Sequence, residues 1–401
     1  MDIPKKSGVF SAENGTAPIV PLETIGDTTS IIPAPVVIAA VRVYRYDGAQ
    51  VVEFESTDGV IGRSMANDKL ADVMDLAVGR VFPYFVGRDA RHVGQCIDEI
   101  VVYEKNYKFL GLPFWNAVGN AELALWDLLG RTAGKPVYEL VGKKIRDAMG
   151  IYVSSLERDT TPEEEIGWVA ERVVALGAKA VKLKIGGRMS RNADASPGRS
   201  EKLLALGRKE FGPDVEFYVD ANGSYDARTA IEVGRMLAEH NVAFFEEPCP
   251  FLDFVSTKRV ADVLTIPVAG GEQDTNEYLF KWYLDNHGLD IVQPDLYYNG
   301  GLVRTVAIAR MAESAGVEVR PHSPKADPLA APLLQFAAFT PNLGEYNEFR
   351  GRPMKHKPWY SPQFVVENGE IAIPTGAGLG VEYDDVIRTR GELVAEVRAE
   401  R

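Results

Sequence analysis

The sequence predicts an α/β protein in which a modified (β/α)8 barrel of the TIM type is joined to an α+β capping domain. Two observations lead to this class. From residue 150 onward, short β-rich runs alternate with amphipathic helical runs over eight repeats, which is typical of βα units. With 401 residues, the chain is also too long for one ordinary domain. A doubly wound sheet is the alternative, but it seldom needs eight such units, and its glycine fingerprint does not follow the first strand.

Composition excludes several classes of protein. Hydrophobic residues make up 46% of the chain, enough to bury a large core, so the chain as a whole is not disordered. The formal net charge is −13 and no basic block occurs, so we expect no nucleic-acid partner. The longest apolar stretch near the start, at 31–41, contains two prolines and is too short to cross a bilayer, so we expect no membrane partner.

Cysteine usage and the first residues predict a cytoplasmic protein. Cys96 and Cys249 are the only cysteines, so there is no disulfide framework, which fits a reducing compartment. The chain begins without the apolar core of a signal peptide. Two cysteines and five scattered histidines do not favour a Cys/His zinc site.

The first part of the chain divides into an arm and a capping domain. Residues 1–34 are rich in Pro, Gly, Ser and Thr and predict a flexible N-terminal arm. Residues 35–148 predict the N-terminal part of the α+β capping domain. Its expected elements are strands at 36–46 and 51–55, joined by a tight turn at Asp47-Gly48, and helices at 69–82, 90–104 and 115–129.

Residues 149–352 predict the catalytic barrel. Its strands are expected at 151–154, 180–185, 216–221, 243–248, 267–272, 290–295, 318–322 and 343–349. In its first helix, Thr161 is the expected N-cap, Glu164 completes a capping box and Gly177 is the stop. Residues 353–401 follow the eighth strand and contain a hairpin around Asn368-Gly369. Because this segment has no place inside a barrel, we expect it to pack back on the capping domain.

Two lysines on the second barrel strand are predicted to point into the barrel. Side chains alternate across a strand, so Val181, Leu183 and Ile185 share one face while Lys182 and Lys184 share the other. The apolar face must meet the outer helices. Two ammonium groups inside a barrel require carboxylate partners, although a lone strand lysine is more often a solvated or salt-bridged residue.

Candidate partners appear at the ends of the next three strands, which carry Asp220, Glu246 with Glu247, and Glu272. The carboxyl ends of the strands form the face where barrel enzymes build their active sites. Any one of these acids is more simply interpreted as a helix N-cap. Three of them beside two inward lysines instead indicate a Mg²⁺ site, because this cation prefers oxygen ligands and keeps positions open for a substrate.

The last three strands add a histidine and further acids. Asp295 and His322 end neighbouring strands, so they are positioned to form a dyad in which the carboxylate fixes the imidazole tautomer. On the eighth strand, Glu345 and Glu348 have opposite parity, so only one of them faces inward. A ring with one base on each side of a metal suits removal of a proton α to a carboxylate.

At these residues the sequence resembles the enolase superfamily, and within it the mandelate racemase-like subgroup. In order along the strands, the matching motifs are Val-Lys-Leu-Lys, Val-Asp-Ala-Asn, Phe-Glu-Glu-Pro, Gly-Gly-Glu, Gln-Pro-Asp with Asn299-Gly300-Gly301, and Pro-His. The resemblance extends from about residue 36 to residue 384. Each motif is weak alone, but their order and the near-even spacing of positions 220, 246, 272, 295 and 322 make the combined signal specific.

The resemblance implies a small carboxylate substrate, an Mg²⁺ cofactor and a homo-oligomer. The implied Mg²⁺ ligands are Asp220, Glu246 and Glu272. The other implied groups are Lys184 as one base, His322 with its orienting Asp295 as the second base or acid, Lys182 and Glu348 against the substrate carboxylate, and Asn222 at the substrate. Glu345 remains the alternative to Glu348, although the run Tyr346-Asn347-Glu348-Phe349 is closer to the family pattern.

Two features depart from the family pattern. The first hairpin of the capping domain usually carries a long loop that closes over the substrate, but here the connection at 47–50 is short. We hypothesise that the arm at 1–34 or a neighbouring subunit replaces this lid. The second departure is a polar insertion at 186–199, directly after Lys184, which is either a rim loop that shapes specificity or a solvated surface loop.

Bases on both faces of a substrate allow more than one reaction. Dehydration of an acid sugar to a 2-keto-3-deoxy acid is the commoner outcome in the resembling subgroup and is our prediction. The same enolate also serves a racemase, an epimerase or a cycloisomerase. A non-catalytic barrel that only binds a ligand is the remaining alternative, but it predicts loss of ring residues. Tyr297, Tyr298 and Lys325 follow the sixth and seventh strands and are either readers of substrate hydroxyls or surface residues.

Overall fold

The computed structural model describes residues 17–349 and 357–399. The chain first forms an antiparallel sheet and a set of helices that pack against it. The strands are β1 (Ile38–Tyr46), β2 (Ala49–Ser56) and β3 (Ile61–Met65). The helices are α1 (Met74–Leu76), α2 (Phe82–Phe85), α3 (Val93–Glu99), α4 (Leu112–Ala133) and α5 (Val137–Val141). Shorter turns are 3₁₀ segments at Leu22–Thr24, Asp68–Val73 and Tyr103–Lys108 and a π-helical turn at Ala77–Val81.

The predicted β1–β2 hairpin is confirmed. Asp47 (φ 48°) and Gly48 (φ 76°) are both left-handed, as a tight two-residue hairpin turn requires. The single helix expected at 69–82 is instead broken into short segments, and strand β3 was not expected. The sequence pattern of β3 is weakened by Gly62, which is why this strand was not predicted. In the structure Gly62 allows the backbone of α4 to approach β3, because a Cβ at this position would lie 2.2 Å from Leu128 N.

The barrel contains the eight predicted strands. They are β4 (Ala148–Ser154), β5 (Ala180–Lys184), β6 (Glu216–Asp220), β7 (Val242–Glu246), β8 (Val268–Gly270), β9 (Ile291–Val292), β10 (Glu318–Val319) and β11 (Tyr346–Phe349). Neighbours pair in parallel from β4 to β10. A parallel bridge between Val319 and Leu343, together with pairing of β11 with β4, closes the ring. A closed barrel leaves no open sheet edge among these strands.

Seven helices connect the barrel strands. They are α6 (Pro162–Leu176), α7 (Arg199–Phe211), α8 (Ala227–Glu239), α9 (Phe254–Val263), α10 (Glu277–Asn286), α11 (Leu302–Ser314) and α12 (Ala331–Ala337), the last preceded by a 3₁₀ turn at Asp327–Ala330. The predicted capping box of α6 is confirmed, since Glu164 N donates to Thr161 Oγ1 and Thr161 N donates to Glu164 Oε2. No helix lies between β11 and the next strand among the described residues.

The C-terminal segment divides between the two domains. Its elements are β12 (Tyr360–Ser361), β13 (Val366–Glu367), β14 (Glu370–Ala372), β15 (Glu382–Tyr383), α13 (Val386–Arg390) and β16 (Glu392–Arg398). Strand β16 pairs with β1 and so completes the capping sheet. The β13–β14 hairpin, which we expected on the capping domain, instead pairs through β14 with β4. The first half of β4 is free to pair with β14 because β5 pairs only with Val153 and Ser154, in the second half of the strand.

Residues 17–34 differ from the flexible arm that their composition suggests. Leu22, Ile25 and Ile32 are buried, and Thr28 N donates to Arg91 O at 2.9 Å. Three buried aliphatic side chains are enough to pack a stretch otherwise rich in turn-forming residues. The rest of the predicted arm, residues 1–16, lies outside the described residues. No helix in the described part of the chain is long and apolar enough to cross a membrane.

Candidate active site

The predicted ring residues lie at the carboxyl ends of consecutive barrel strands. Lys182 and Lys184 are on β5, Asp220 ends β6, Glu246 ends β7 and Glu272 follows β8 by two residues. All five side chains are buried. Pairing of Lys184 with Asp220 across β5–β6, and of Asp220 with Glu246 across β6–β7, places successive ends at one level of the barrel. This common level explains why residues so far apart in sequence meet.

Three of these side chains form a cluster with the donors that a hard cation requires. One carboxylate oxygen from each of Asp220, Glu246 and Glu272 lies within 4.8 Å of the others. Oε2 of Glu272 accepts no hydrogen bond within the described residues. Burial raises the pKa of Glu246 to about 8, even though the ammonium of Lys182 acts in the opposite direction. Three buried carboxylates this close fit a divalent cation such as Mg²⁺.

The two inward lysines differ in their access to solvent. Lys182 Nζ lies 2.9 Å from both carboxylate oxygens of Glu246 and 3.0 Å from Glu348 Oε1, and its side chain has no exposed surface. It is not among the residues that line the cavity. Lys184 donates to Asp220 Oδ2 and does line the cavity. Lys184 is therefore accessible from the cavity, whereas Lys182, expected to contact the substrate carboxylate, is covered by Glu246 and Glu348.

A His–Asp pair stands on the other side of the acid cluster. His322 Nδ1 lies 2.8 Å from Asp295 Oδ2, and His322 Nε2 lies 3.3 Å from Glu272 Oε2. Burial lowers the pKa of His322, but the carboxylates of Glu272, Asp295 and Glu348 outweigh it and raise the pKa above its ordinary value. Because Nδ1 is committed to Asp295, Nε2 is the atom that faces the cavity and can exchange a proton there.

The strand-eight glutamate that enters the site is Glu348. It lines the cavity, accepts from Ser154 Oγ at 2.8 Å and from Ser323 N at 3.0 Å. Although burial raises the pKa of Glu348, Lys182 and His322 hold it well below its usual range. Glu345 is exposed just before β11, at the opposite end of the strand, so it is not a site residue.

Asn222 also lies in the cavity wall, as predicted for a residue that touches the substrate. Its backbone is left-handed (φ 42°), and its N–H donates to Asp220 Oδ1 at 2.7 Å. The side-chain Nδ2 donates to Asp220 Oδ2 at 3.0 Å and to Glu247 Oε2 at 3.3 Å. These bonds tie Asn222 to the acid cluster and leave its Oδ1 to Arg158 Nη2 at 2.9 Å.

Several cavity residues were not predicted as site residues. Glu247 adds a fourth acid, and its Oε1 has no hydrogen-bond partner within the described residues. The capping domain contributes Lys69 and Leu112, and the inserted loop after β5 contributes Arg188 and Met189. The only sequence signal for these groups was the adjacency of Glu247 to Glu246 and the position of the insertion.

Of the three residues considered as possible contacts for substrate hydroxyls, Tyr298 lines the cavity, Tyr297 is buried with its hydroxyl 3.2 Å from Met65 O, and Lys325 contacts Asp295.

The cavity has a volume of about 530 Å³, within the range of small-molecule sites. Its inner end, the wall at the strand ends, includes Lys184, Glu272, His322 and Glu348, and its outer end, the wall at the loops, includes residues of the capping domain and of the inserted loop. None of the residues 17–34 lines it.

Both domains of the chain match families of known proteins. Residues 166–387 match the family described as enolase C-terminal domain-like, and residues 24–142 match the mandelate racemase/muconate lactonizing enzyme N-terminal domain. A D-galactonate dehydratase of Ralstonia nicotianae is 31% identical over 350 residues, which are 84% of this chain and 89% of that protein. A D-galactarolactone cycloisomerase of Agrobacterium fabrum is 28% identical over 347 residues, 83% of this chain and 88% of that protein.

Among solved structures, a mandelate racemase/muconate lactonizing protein from Paracoccus denitrificans, complexed with magnesium, superposes with a TM-score of 0.79. It is 26% identical, and the match covers 90% of this chain and 99% of that one. The similarity thus extends over the capping domain and the barrel together.

Proposed function

Because the chain belongs to the mandelate racemase/muconate lactonizing enzyme family of the enolase superfamily, we propose that it is a Mg²⁺-dependent acid-sugar dehydratase. It removes the proton α to a carboxylate and eliminates water to give a 2-keto-3-deoxy acid. The observation that supports this reaction best is the placement of two proton-transfer groups, Lys184 and His322, on the wall of one cavity beside the three-acid cluster. The dehydratase among its relatives is consistent with this choice.

The acid cluster would hold the cation. Asp220, Glu246 and Glu272 supply the oxygen donors, and the bound ion contributes positive charge that stabilises the substrate carboxylate and the negative charge that develops next to it. Asn222, hydrogen-bonded to Asp220, and Glu348, held by two serines, are placed to bind the substrate's carboxylate end and nearest hydroxyl.

Proton transfer is divided between the two sides of the cavity. Lys184 takes the α-proton on Nζ. The bond between the β-carbon and its hydroxyl then breaks, and His322 Nε2 delivers a proton so that water leaves. The resulting enol becomes the 2-keto acid. Asp295 keeps His322 in the tautomer that presents Nε2 to the substrate, since it lies 2.8 Å from Nδ1.

A second candidate reaction uses the same residues. If His322 returns a proton to the α-carbon instead of to a leaving hydroxyl, the product is an epimer. If the substrate is a lactone whose ring oxygen is on the β-carbon, removal of the α-proton breaks that carbon–oxygen bond, the freed carboxylate stays in the same molecule, and the reaction is a cycloisomerisation. The relative named as a cycloisomerase supports keeping this candidate. The product distinguishes dehydration from epimerisation, because an epimer keeps its β-hydroxyl and is not a 2-keto-3-deoxy acid. The substrate distinguishes dehydration from cycloisomerisation, because an open-chain acid loses water whereas a lactone opens with no change in formula.

A screen of monoacid and diacid sugars with Mg²⁺ tests the proposal. Each compound is incubated in D₂O and assayed for a 2-keto-3-deoxy product and for deuterium at the α-carbon, with the Lys184→Ala protein as the control. We expect product from at least one compound with the wild-type protein and none with the control. If no compound gives product or Mg²⁺-dependent exchange, the enzyme proposal fails and the non-catalytic barrel is favoured.

A further inference from the structure

The inserted loop at 186–198 is built into the rim of the cavity. Met189 N donates to Asn222 O at 2.9 Å, and Arg188 N donates to Ser224 Oγ at 3.0 Å. Arg188 (φ 55°) and Met189 (φ 50°) are both in the left-handed region, a conformation that persists only where surrounding contacts hold it. These bonds fix Arg188 and Met189 against the cavity, so the insertion is a rim loop and not a free surface loop.

Two acids in or beside the rim loop are already committed to backbone and side-chain donors. Asp194 accepts from Ser200 N at 2.9 Å and from Ser200 Oγ at 2.7 Å. Asp226 accepts from Thr229 N and from Asn192 Nδ2, each at 2.8 Å. Neither acid therefore serves as a partner for the guanidinium of Arg188.

Arg188 is exposed, lines the cavity and forms no salt bridge within residues 17–349 and 357–399. Arg158 also lacks a salt-bridge partner in that part of the chain, but it does not line the cavity and donates to Asn222 Oδ1. The remaining outer wall includes apolar side chains such as Leu112, Leu156 and Phe251. The outer end of the cavity thus includes one guanidinium without a carboxylate partner, whereas Glu272 of the acid cluster lies at the inner end.

We propose that Arg188 binds a terminal carboxylate at the far end of the substrate, so that the preferred substrates are dicarboxylate acid sugars. This inference rests on the proposed function, since it assumes that the first carboxylate occupies the inner end. A guanidinium and a carboxylate pair through two parallel hydrogen bonds, which gives both affinity and selection for the charge. Lys69, on the capping domain side, lies across the same cavity but shares its charge with Asp68 at 3.1 Å.

Matched sugar acids that differ only at the far end test this inference. Galactonate is compared with galactarate, and gluconate with glucarate, using the full chain with Mg²⁺. We expect the wild-type protein to have a higher kcat/KM for the diacids. In Arg188→Gln the KM for diacids should rise about tenfold, the loss of one charge-assisted hydrogen bond, while the values for monoacids stay within about twofold. Arg191→Gln is the control, because Arg191 is exposed in the same loop, is also left-handed (φ 54°) and does not line the cavity.

Three outcomes would overturn the inference: a wild-type preference for monoacids, equal effects of Arg188→Gln on both classes, or the same effect in Arg191→Gln. Tighter binding of 6-phosphogluconate than of glucarate would overturn the assignment of a carboxylate. If no compound is turned over, the proposed function fails, but calorimetry of galactarate with the Mg²⁺-loaded protein still tests the subsite. Binding that weakens in Arg188→Gln and not in Arg191→Gln supports it, and equal binding overturns it.

Discussion

Lys325 Nζ lies 2.5 Å from Asp295 Oδ2, the same oxygen that lies 2.8 Å from His322 Nδ1. The other oxygen of Asp295 accepts the N–H groups of Tyr297 at 2.7 Å and Tyr298 at 3.1 Å. Burial raises the pKa of Asp295, but Lys325 and His322 together hold it well below its usual range. Four partners therefore keep this carboxylate ionised and in one orientation.

Replacing Lys325 should weaken catalysis without affecting the metal site. In Lys325→Met, Asp295 keeps His322 but loses the cation that fixes its shared oxygen, so the imidazole is less well positioned. We expect kcat to fall about tenfold to a hundredfold with KM nearly unchanged. Lys325→Arg, which retains the charge, should recover part of the loss. A change in KM alone would indicate that Lys325 contacts the substrate instead.

The two proton-transfer groups should be separable by isotope exchange. Lys184→Ala and His322→Asn are each expected to lower dehydration by about 10²–10⁴-fold, the usual contribution of a general acid or base. The variant that still exchanges the α-proton with solvent retains the base that removes it. From the roles proposed above, His322→Asn should retain exchange and Lys184→Ala should lose it. The reverse pattern would exchange the two roles.

Metal binding should be visible as added stability. The three acids come together only in the folded chain, so a cation that binds them stabilises the folded state and raises the unfolding temperature. At a metal concentration of 100 times Kd the added stability is about 2.7 kcal/mol. We expect the unfolding temperature to rise with Mg²⁺ and to fall again with a chelator. Glu272→Gln should lose this response, whereas Glu345→Gln, on the exposed strand-eight acid, should keep it. A response retained by Glu272→Gln would remove Glu272 from the ligand set.

The junction between capping domain and barrel should be sensitive to pH through Glu122. This α4 side chain accepts the N–H groups of Leu302 and Val303, each at 2.8 Å, in the first turn of α11. Burial raises the pKa of Glu122 to about 7, although these hydrogen bonds and that of Trp126 lower it. Because the folded-state pKa exceeds the unfolded value, the stabilisation is complete below about pH 4.3 and is lost as pH rises to about 7.

Urea unfolding at two pH values measures this effect. Between pH 5 and pH 8 the wild-type protein should lose about 2–3 kcal/mol more stability than Glu122→Gln. Glu239→Gln, at the exposed end of α8, should follow the wild-type protein. If Glu122→Gln has the same pH dependence as the wild-type protein, Glu122 does not titrate in this range.

Truncation should separate the packed and the remaining parts of the N-terminal region. Leu22, Ile25 and Ile32 are buried, so deletion through residue 34 should be strongly destabilising, at about 1.5–3 kcal/mol per side chain. Deletion through residue 16 leaves these three side chains in place and is the second, shorter truncation. The hypothesis that the arm replaces the lid requires kcat/KM to fall in this shorter truncation, and unchanged kinetics would reject it.

The sequence by itself determined the strand order and which residues stand at the strand ends. The period of two along β5 separates Lys182 and Lys184 from their apolar neighbours, and the barrel brings the carboxyl ends of all strands to one face. The local signals were equally direct, as the Thr161 cap and the turn at Asp47 illustrate. These features depend on residues that are close in sequence, or on the regular alternation of strands and helices, which is visible in the sequence.

Only the tertiary structure decided which of these side chains reach the cavity and what they contact. Lys182 is covered by Glu246 and Glu348, whereas Lys184 is accessible. Lys325 contacts Asp295 across the ends of two strands. Arg188 is held at the cavity because its backbone N–H donates to Ser224 Oγ in the loop after β6. Such relationships depend on distances between atoms that are far apart in the chain, and side-chain reach and backbone conformation set those distances after the elements have packed.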